Sequence, residues 1–219
     1  MSFAAKHLDP GSRMLEILFG LIMTLTFTLG ASLLLQEEGA EGARELLIAT
    51  AGCNLAWGVI DGIFYVLGEL FERGRRLRVA AGIRASASET AARDLVAETF
   101  DESLEPVTDT QARHRLYEAI VQRLREIEIP PVRVHRADLL GGLASGWLVF
   151  ACSFPAALPF AFIDEPHLAL RVSNVLLLGL LFAVGYKAGK HAFARPWLVG
   201  SVFLLVGLGL VVGTIALGG

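Results

Sequence analysis

AGCNLAWGVIDGIFY, residues 51–65, places a single carboxylate, Asp61, inside an otherwise apolar run. Read as a membrane-spanning helix, the stretch fixes the frame for the rest of the chain. Helical residues advance about 100° each, so steps of seven return to nearly the same side. By that geometry Asn54, Asp61, Tyr65 and Glu72 fall within about 20° of one line. A carboxylate at the middle of a membrane helix costs roughly 2.5–3.5 kcal/mol, so it faces a protein interior or a wet cavity. The stripe is therefore the first place to look for a path or a site.

Composition agrees with that frame. The chain has 219 residues, 54% of them hydrophobic and 19% charged, with a mean hydropathy of +0.56. The apolar residues gather into long blocks, as in a polytopic membrane protein. The two cysteines, Cys53 and Cys152, both lie in apolar segments and form no CxxC pair, which makes them packing residues rather than a disulfide framework. The first apolar run starts near Met14, after Asp9-Pro10-Gly11, and is too long for a signal h-region, so no cleavable signal peptide is expected.

Five segments are long enough to cross a bilayer, at about residues 13–36, 45–71, 138–162, 168–187 and 195–217. The fold class expected is an all-α membrane protein with five transmembrane helices and a small cytoplasmic helical domain inserted between helices 2 and 3. Its parts are residues 1–72, 73–137 and 138–219, and the connections 36–45, 163–168 and 188–195 are expected to be tight reversals. In a five-span arrangement seventeen of the nineteen basic residues fall on one side; only Arg44 and Arg171 fall on the other, with Gln36, Glu37, Glu38, Glu41, Asp164 and Glu165. The positive-inside rule then predicts a cytoplasmic N-terminus and an outside C-terminus, in a bacterial inner membrane. Arg73, Arg75, Arg76 and Arg78, just beyond the second span, carry the rule and form a candidate site for anionic lipid headgroups. No aromatic residues are interleaved with them, which argues against nucleic acid.

The inserted domain reads as two helices. Ser86-Ala87-Ser88-Glu89 and Thr108-Asp109-Thr110-Gln111 fit capping boxes, the first helix running to about Leu104 ahead of Pro106. The second would carry Leu116, Ile120, Leu124 and Ile127 on one stripe before Pro130-Pro131. So small an apolar set makes a marginal core, expected to lean on a second copy or on the membrane part. Glycines four apart, Gly58/Gly62, Gly142/Gly146, Gly185/Gly189 and Gly209/Gly213, allow close helix approach, mostly within the chain, with one or two available for a subunit contact.

In plan and in local echoes the chain resembles the vacuolar iron transporter family. Residues 17–31 (ILFGLIMTLTFTLGA) resemble that family's first helix and residues 139–162 (LLGGLASGWLVFACSFPAALPFAF) its third, with a Pro-containing end. Gly185-Tyr186-Lys187-Ala188-Gly189-Lys190 and Arg195-Pro196-Trp197 resemble the end of its fourth helix and the start of its last. The resemblance implies five spans, an inserted cytoplasmic metal-binding domain, a homodimer, and transport of iron(II) or manganese(II). Where the family carries Asp-Gly in helix one, this chain reads Ile22-Met23-Thr24; where helix two carries Glu and then Ser-Met-Gly, it offers Asn54 and then Ile60-Asp61-Gly62.

Candidate site residues follow. Asp61, Asn54 and Tyr65 offer oxygen ligands, Met23 a thioether, and Glu16 lies one step of seven before Met23, near the cytoplasmic mouth. Oxygen with a little sulfur suits iron(II) or manganese(II). Asp61 is also able to exchange a proton; alternatively it is a structural hydrogen-bond partner of Ser145 or Asn174. In the inserted domain Glu98, Glu102 and Glu105, with Asp101 adjacent, cluster on one helix face, and His114 and Glu118 stand at i, i+4. These read either as a cation-collecting surface or as a solvated acidic face balanced by arginines. No GxSxG, HExxH, Walker or dinucleotide fingerprint is present, so no enzyme activity, catalytic residue or tightly bound cofactor is expected; a divalent cation would be cargo. The competing functional readings are a non-transporting scaffold or sensor that keeps the fold, and a channel or carrier for another solute.

Overall fold

The computed structural model describes residues 2–30 and 32–216, with the side chains of 32–40 and of residue 215 outside the description. All secondary structure among these residues is helical: α1 Phe3–His7, α2 Pro10–Gly30, α3 Ser32–Ala85, α4 Glu89–Leu104, α5 Thr110–Glu126, α6 Arg136–Ala151, α7 Phe154–Ala157, α8 Pro166–His191 and α9 Pro196–Ala216. Five helical segments are long and apolar enough to cross a membrane: Pro10–Gly30, Glu41–Ala85, Arg136–Ala157, Pro166–His191 and Pro196–Thr214. Many of their largest apolar side chains point outward, among them Phe64, Leu143, Trp147, Val175 and Leu205. So much outward apolar surface on helices of this length belongs in lipid, where helices satisfy their own backbone hydrogen bonds. The chain is an all-α membrane protein.

Two expected boundaries are corrected. Among the described residues the first span is Pro10–Gly30, against an expected end near 36, and residues 36–45, expected as a reversal, are helical within α3. That stretch is polar but rich in Ala and Glu, which propagate a helix as readily as apolar residues do. Residue 31, between α2 and α3, lies outside the described residues, as do the side chains of Gln36, Glu37 and Glu38. At the other end, α3 continues past 71 through the arginine cluster to Ala85, because Glu72 accepts from Arg75 and Arg76 one turn later and no breaker intervenes.

The chain divides into two compact units, residues 1–66 with 136–219, and residues 67–135. The first holds α1, α2, α6 to α9 and α3 as far as Val66. Its start is set by Asp9-Pro10: Asp9 Oδ1 accepts from Gly11 N at 2.8 Å and Ser12 N at 3.0 Å, and Pro10 occupies the first helical position, where no N–H is needed. The main core joins Leu18, Leu21, Leu25 and Leu29 of α2 to Cys152, Ala156, Leu177 and Leu181. Cys152 is thus a buried packing residue and Cys53 a half-buried one, both free. The third span ends raggedly, α6 giving way to α7 and a 3₁₀ turn at Pro159–Ala161, as Pro155 and Pro159 withhold backbone donors. Between α8 and α9 the chain turns at Phe193, whose φ of 52° is a left-handed conformation usually given to glycine.

The second unit packs Ile83 from the end of α3 against Ala92 and Val96 of α4 and Tyr117 and Val121 of α5. Here the sequence reading needs two shifts. The helix caps are Ser88, accepting from Ala91 N at 3.1 Å, and Asp109, accepting from Ala112 N at 2.8 Å, rather than Ser86 and Thr108. Ser86 and Thr108 instead donate back to Gly82 O and Leu104 O, closing the helices before them. The apolar stripe of α5 is centred on Tyr117 and Val121, with Ile120 and Leu124 beside it, while Leu116 is 42% exposed and Ile127 lies beyond the helix.

Candidate functional site

Asp61 and Asn54 reach their neighbours because α3 and α6 run antiparallel with their backbones in contact. A Cβ built on Gly58 would lie 2.5 Å from Gly146 O, and one on Gly62 would lie 2.6 Å from Gly142 O. Two of the predicted glycine pairs therefore form one intramolecular seam, face to face. Gly185 and Gly189 pack α8 on α9 in the same manner, against Gly200, Phe203, Pro196 and Val199. A Cβ on Gly209 or Gly213 would meet no atom of the described residues within 4 Å.

Polar side chains line the edge of the seam. Ser145 Oγ donates to Asp61 Oδ2 at 2.5 Å, the structural bond raised as an alternative for Asp61. Asp61 has a second neighbour: Glu16 of α2 lies close to both Asp61 and Ser145. Ser145 is fully buried, whereas Glu16 and Asp61 are half-buried. A hydrogen bond between two carboxyl groups requires a proton on one of them, and two bare carboxylates at this separation repel. Such a pair can take a proton or a cation between its two carboxyl groups.

About two turns along α3, Asn54 is fully buried. Its Nδ2 donates to Thr24 Oγ1 at 2.7 Å and Val149 O at 3.1 Å, with Gly20 O at 3.4 Å. Three acceptors on one side fix the amide's orientation and leave Oδ1 buried without a hydrogen-bond partner among the described residues. Asn54 ties α3 to α2 and α6 at once, and Asn174, the other partner considered for Asp61, meets Thr28 Oγ1 at 2.9 Å instead. Tyr65 lies one turn beyond Asp61, its ring over Gly141 and beside Ala4, Leu8 and Ala144. Met23 is half-buried on α2, about two turns from Glu16.

The polar candidates of the second unit are arranged differently. Glu98, Glu102, Glu105, His114 and Glu118 are exposed on α4, the 3₁₀ turn after it, and α5. Asp101 accepts from Tyr117 Oη at 2.5 Å and sits 3.4 Å from Arg113 Nε, and Glu118 pairs with Arg93 at 3.1 Å. Burial, and then the bond to Asp101, push the Tyr117 hydroxyl above its ordinary pKa. Among the described residues, no three His, Cys, Asp or Glu side chains gather where one ion would sit. Of the arginine cluster, Arg75 and Arg76 bond Glu72, Arg73 donates to Arg133 O at 2.7 Å, and Arg78 is exposed. Glu72 is thereby taken up by its own helix.

The sequence reading missed the meeting of Glu16 with Asp61 and the part played by Thr24. A signal for the first existed: Glu16 is the sole acidic residue of residues 13–35, and Asp61 the one acidic residue of the second run away from its ends, where Glu45 and Glu69 lie. Thr24 gave none, since its neighbours Thr26 and Thr28 look the same in sequence.

No protein-family model matches this chain, and no curated protein matches it. The fold itself defines the class: an all-helical protein with five membrane-length apolar helices and a polar junction where three of them meet.

Proposed function

We propose that the chain transports a divalent cation, iron(II) or manganese(II), across a membrane, with Glu16 and Asp61 as the charged pair the ion crosses. The observation that carries this reading is the contact between those two carboxyls, contributed by different helices within apolar surroundings. Intramembrane acids are costly and cluster at ion and proton paths. Oxygen donors from Glu16, Asp61 and Ser145 suit a hard or borderline divalent ion, and Met23 and Asn54 offer further soft and neutral donors along α2 and α3. An arriving cation takes the place of a proton between the two carboxyls, so uptake of one releases the other. In this reading the N-terminus and residues 73–137 face the cytoplasm of a bacterial cell, the exposed acids of α4 and α5 raise the local cation concentration, and the protein works as a homodimer.

A scaffold or sensor without transport is the second reading. It is favoured by the closed glycine seam and the Ser145–Asp61 bond, both of which serve packing alone. Manganese(II) uptake into proteoliposomes separates the two. Glu16→Gln and Asp61→Asn are each expected to slow wild-type uptake by about tenfold or more, the cost of losing one charged ligand. Uptake indifferent to both substitutions would remove the pair from the path, and a wild-type protein that moves no manganese(II) or iron(II) would establish the scaffold.

A further inference from the structure

A cleft of about 400 Å³ opens at the start of the α3 span, away from the acid pair. Its walls are apolar, formed by Leu47 and Ile48 of α3 and by Phe160 and Ile163 at the end of the third span. Its floor is firm: Phe160 packs on a small core of Ala43, Leu46 and Leu170. Two opposite charges, Arg44 and Asp164, stand at its rim. Neither forms an ion pair or a hydrogen bond with any described residue, although they line the same opening.

Opposite charges that share a rim without meeting are complementary to a ligand that carries both signs itself. The apolar walls at the end of a membrane span require that ligand to bring hydrocarbon as well. We propose that this cleft binds a zwitterionic glycerophospholipid with a primary ammonium headgroup. Arg44 takes the phosphate in a charge-assisted, forked contact. Asp164 accepts from the ammonium, and Leu47, Ile48, Phe160 and Ile163 flank the upper acyl chain. An ammonium with N–H donors is preferred over a quaternary amine, because only the former donates to a carboxylate. An anionic headgroup meets Arg44 favourably and Asp164 unfavourably, so it gains less.

Native mass spectrometry of the full chain, released from detergent with dioleoyl lipids of matched chains, tests this. Phosphatidylethanolamine is expected to remain bound at about three- to fivefold higher occupancy than phosphatidylglycerol or phosphatidylcholine, the range open to solvent-facing ion pairs. Asp164→Asn should abolish that preference while leaving phosphatidylglycerol bound at least as well. Arg44→Gln should weaken all three. Both residues are exposed and have no partner among the described residues, so neither change threatens the fold. Equal retention of the three lipids by the wild-type chain, or a preference that survives Asp164→Asn, overturns the proposal. So does equal binding of soluble glycerophosphoethanolamine, which would leave the apolar walls without a part.

Discussion

Replacing Gly58 by alanine tests the packing on which the polar junction rests. The new methyl group would lie 2.5 Å from Gly146 O, against about 3.4 Å for an ordinary contact, so α3 and α6 must part by about 0.9 Å. Neither side can yield locally, because both contacts are backbone. A separation of that size stretches the 3.1 Å bond from Asn54 to Val149 O past useful length and strains the Ser145–Asp61 bond. Overpacking of this kind costs about 1–3 kcal/mol, and each interhelical hydrogen bond in a membrane protein about 0.6 kcal/mol. Alanine's better helix propensity returns up to about 1 kcal/mol. The net expectation is destabilisation by about 1–3 kcal/mol. Gly209→Ala, with nothing within 4 Å, carries only the propensity term and should be neutral or stabilising. Reversible unfolding of the two variants by SDS in mixed micelles, side by side with wild type, reads the difference. If both shift alike, the seam does not hold these helices and the account of the junction is wrong.

Two further outcomes are expected outside the spans. The Ser12 hydroxyl, with the Ser12 and Gly11 backbone N–H groups, holds the Asp9 carboxyl below its ordinary pKa of 3.8. A carboxyl depressed in the folded state stabilises above its unfolded value and loses that contribution as pH falls through the folded one. Wild type should therefore melt above Asp9→Asn at neutral pH, and the gap should close in strong acid; a gap independent of pH would contradict the assignment. In the second unit Ser88→Ala should cost about 1 kcal/mol by freeing the Ala91 amide, whereas Ser86→Ala should leave α4 unchanged. Amide hydrogen exchange at Ala91 distinguishes the two, and faster exchange in the Ser86 variant would restore the cap first expected.

The helices were legible because each apolar block is long, and lipid leaves the backbone few alternatives. Ends were less so. Residues 36–45 look like a loop by polarity, yet polarity ends a membrane span without ending a helix, and α3 begins at Ser32. Caps erred by one or two positions for a related reason: Ser86, Ser88, Thr108 and Asp109 are all competent, and only tertiary packing of Ile83 against α4 and α5 decides which residue leaves the helix. At the site, the helical stripe through Asn54, Asp61 and Tyr65 was visible from seven-residue spacing alone. The partner of Asp61 was not, because the meeting with Glu16 depends on how deep α2 and α3 sit relative to each other, a quantity no single-helix pattern contains.

The seam also decides which side of Asp61 can change. Toward α6 there is no space to open: Gly58 and Gly62 already touch the opposing backbone, and Ser145 is buried beneath the carboxylate. Toward α2 the packing is equally close at Gly20, where a Cβ would lie 2.9 Å from Val149 O, and looser around Glu16. Glu16 is half-buried, and Phe19 meets Trp57 edge-on with ring centroids 5.8 Å apart. Thr24 and Thr28 donate to their own helix, at Gly20 O and Leu25 O, and so does Thr26 at Ile22 O. Hydroxyls bonded to their own helix remain satisfied if that helix shifts, and such back-bonding bends helices. The Asn54 amide would exchange an acceptor while retaining Val149 O on α6, and Thr28 would give up its bond to Asn174. Separation of the two carboxyls therefore falls to the Glu16 side chain and the first turns of α2, ahead of Gly20, where α2 is itself held against α6.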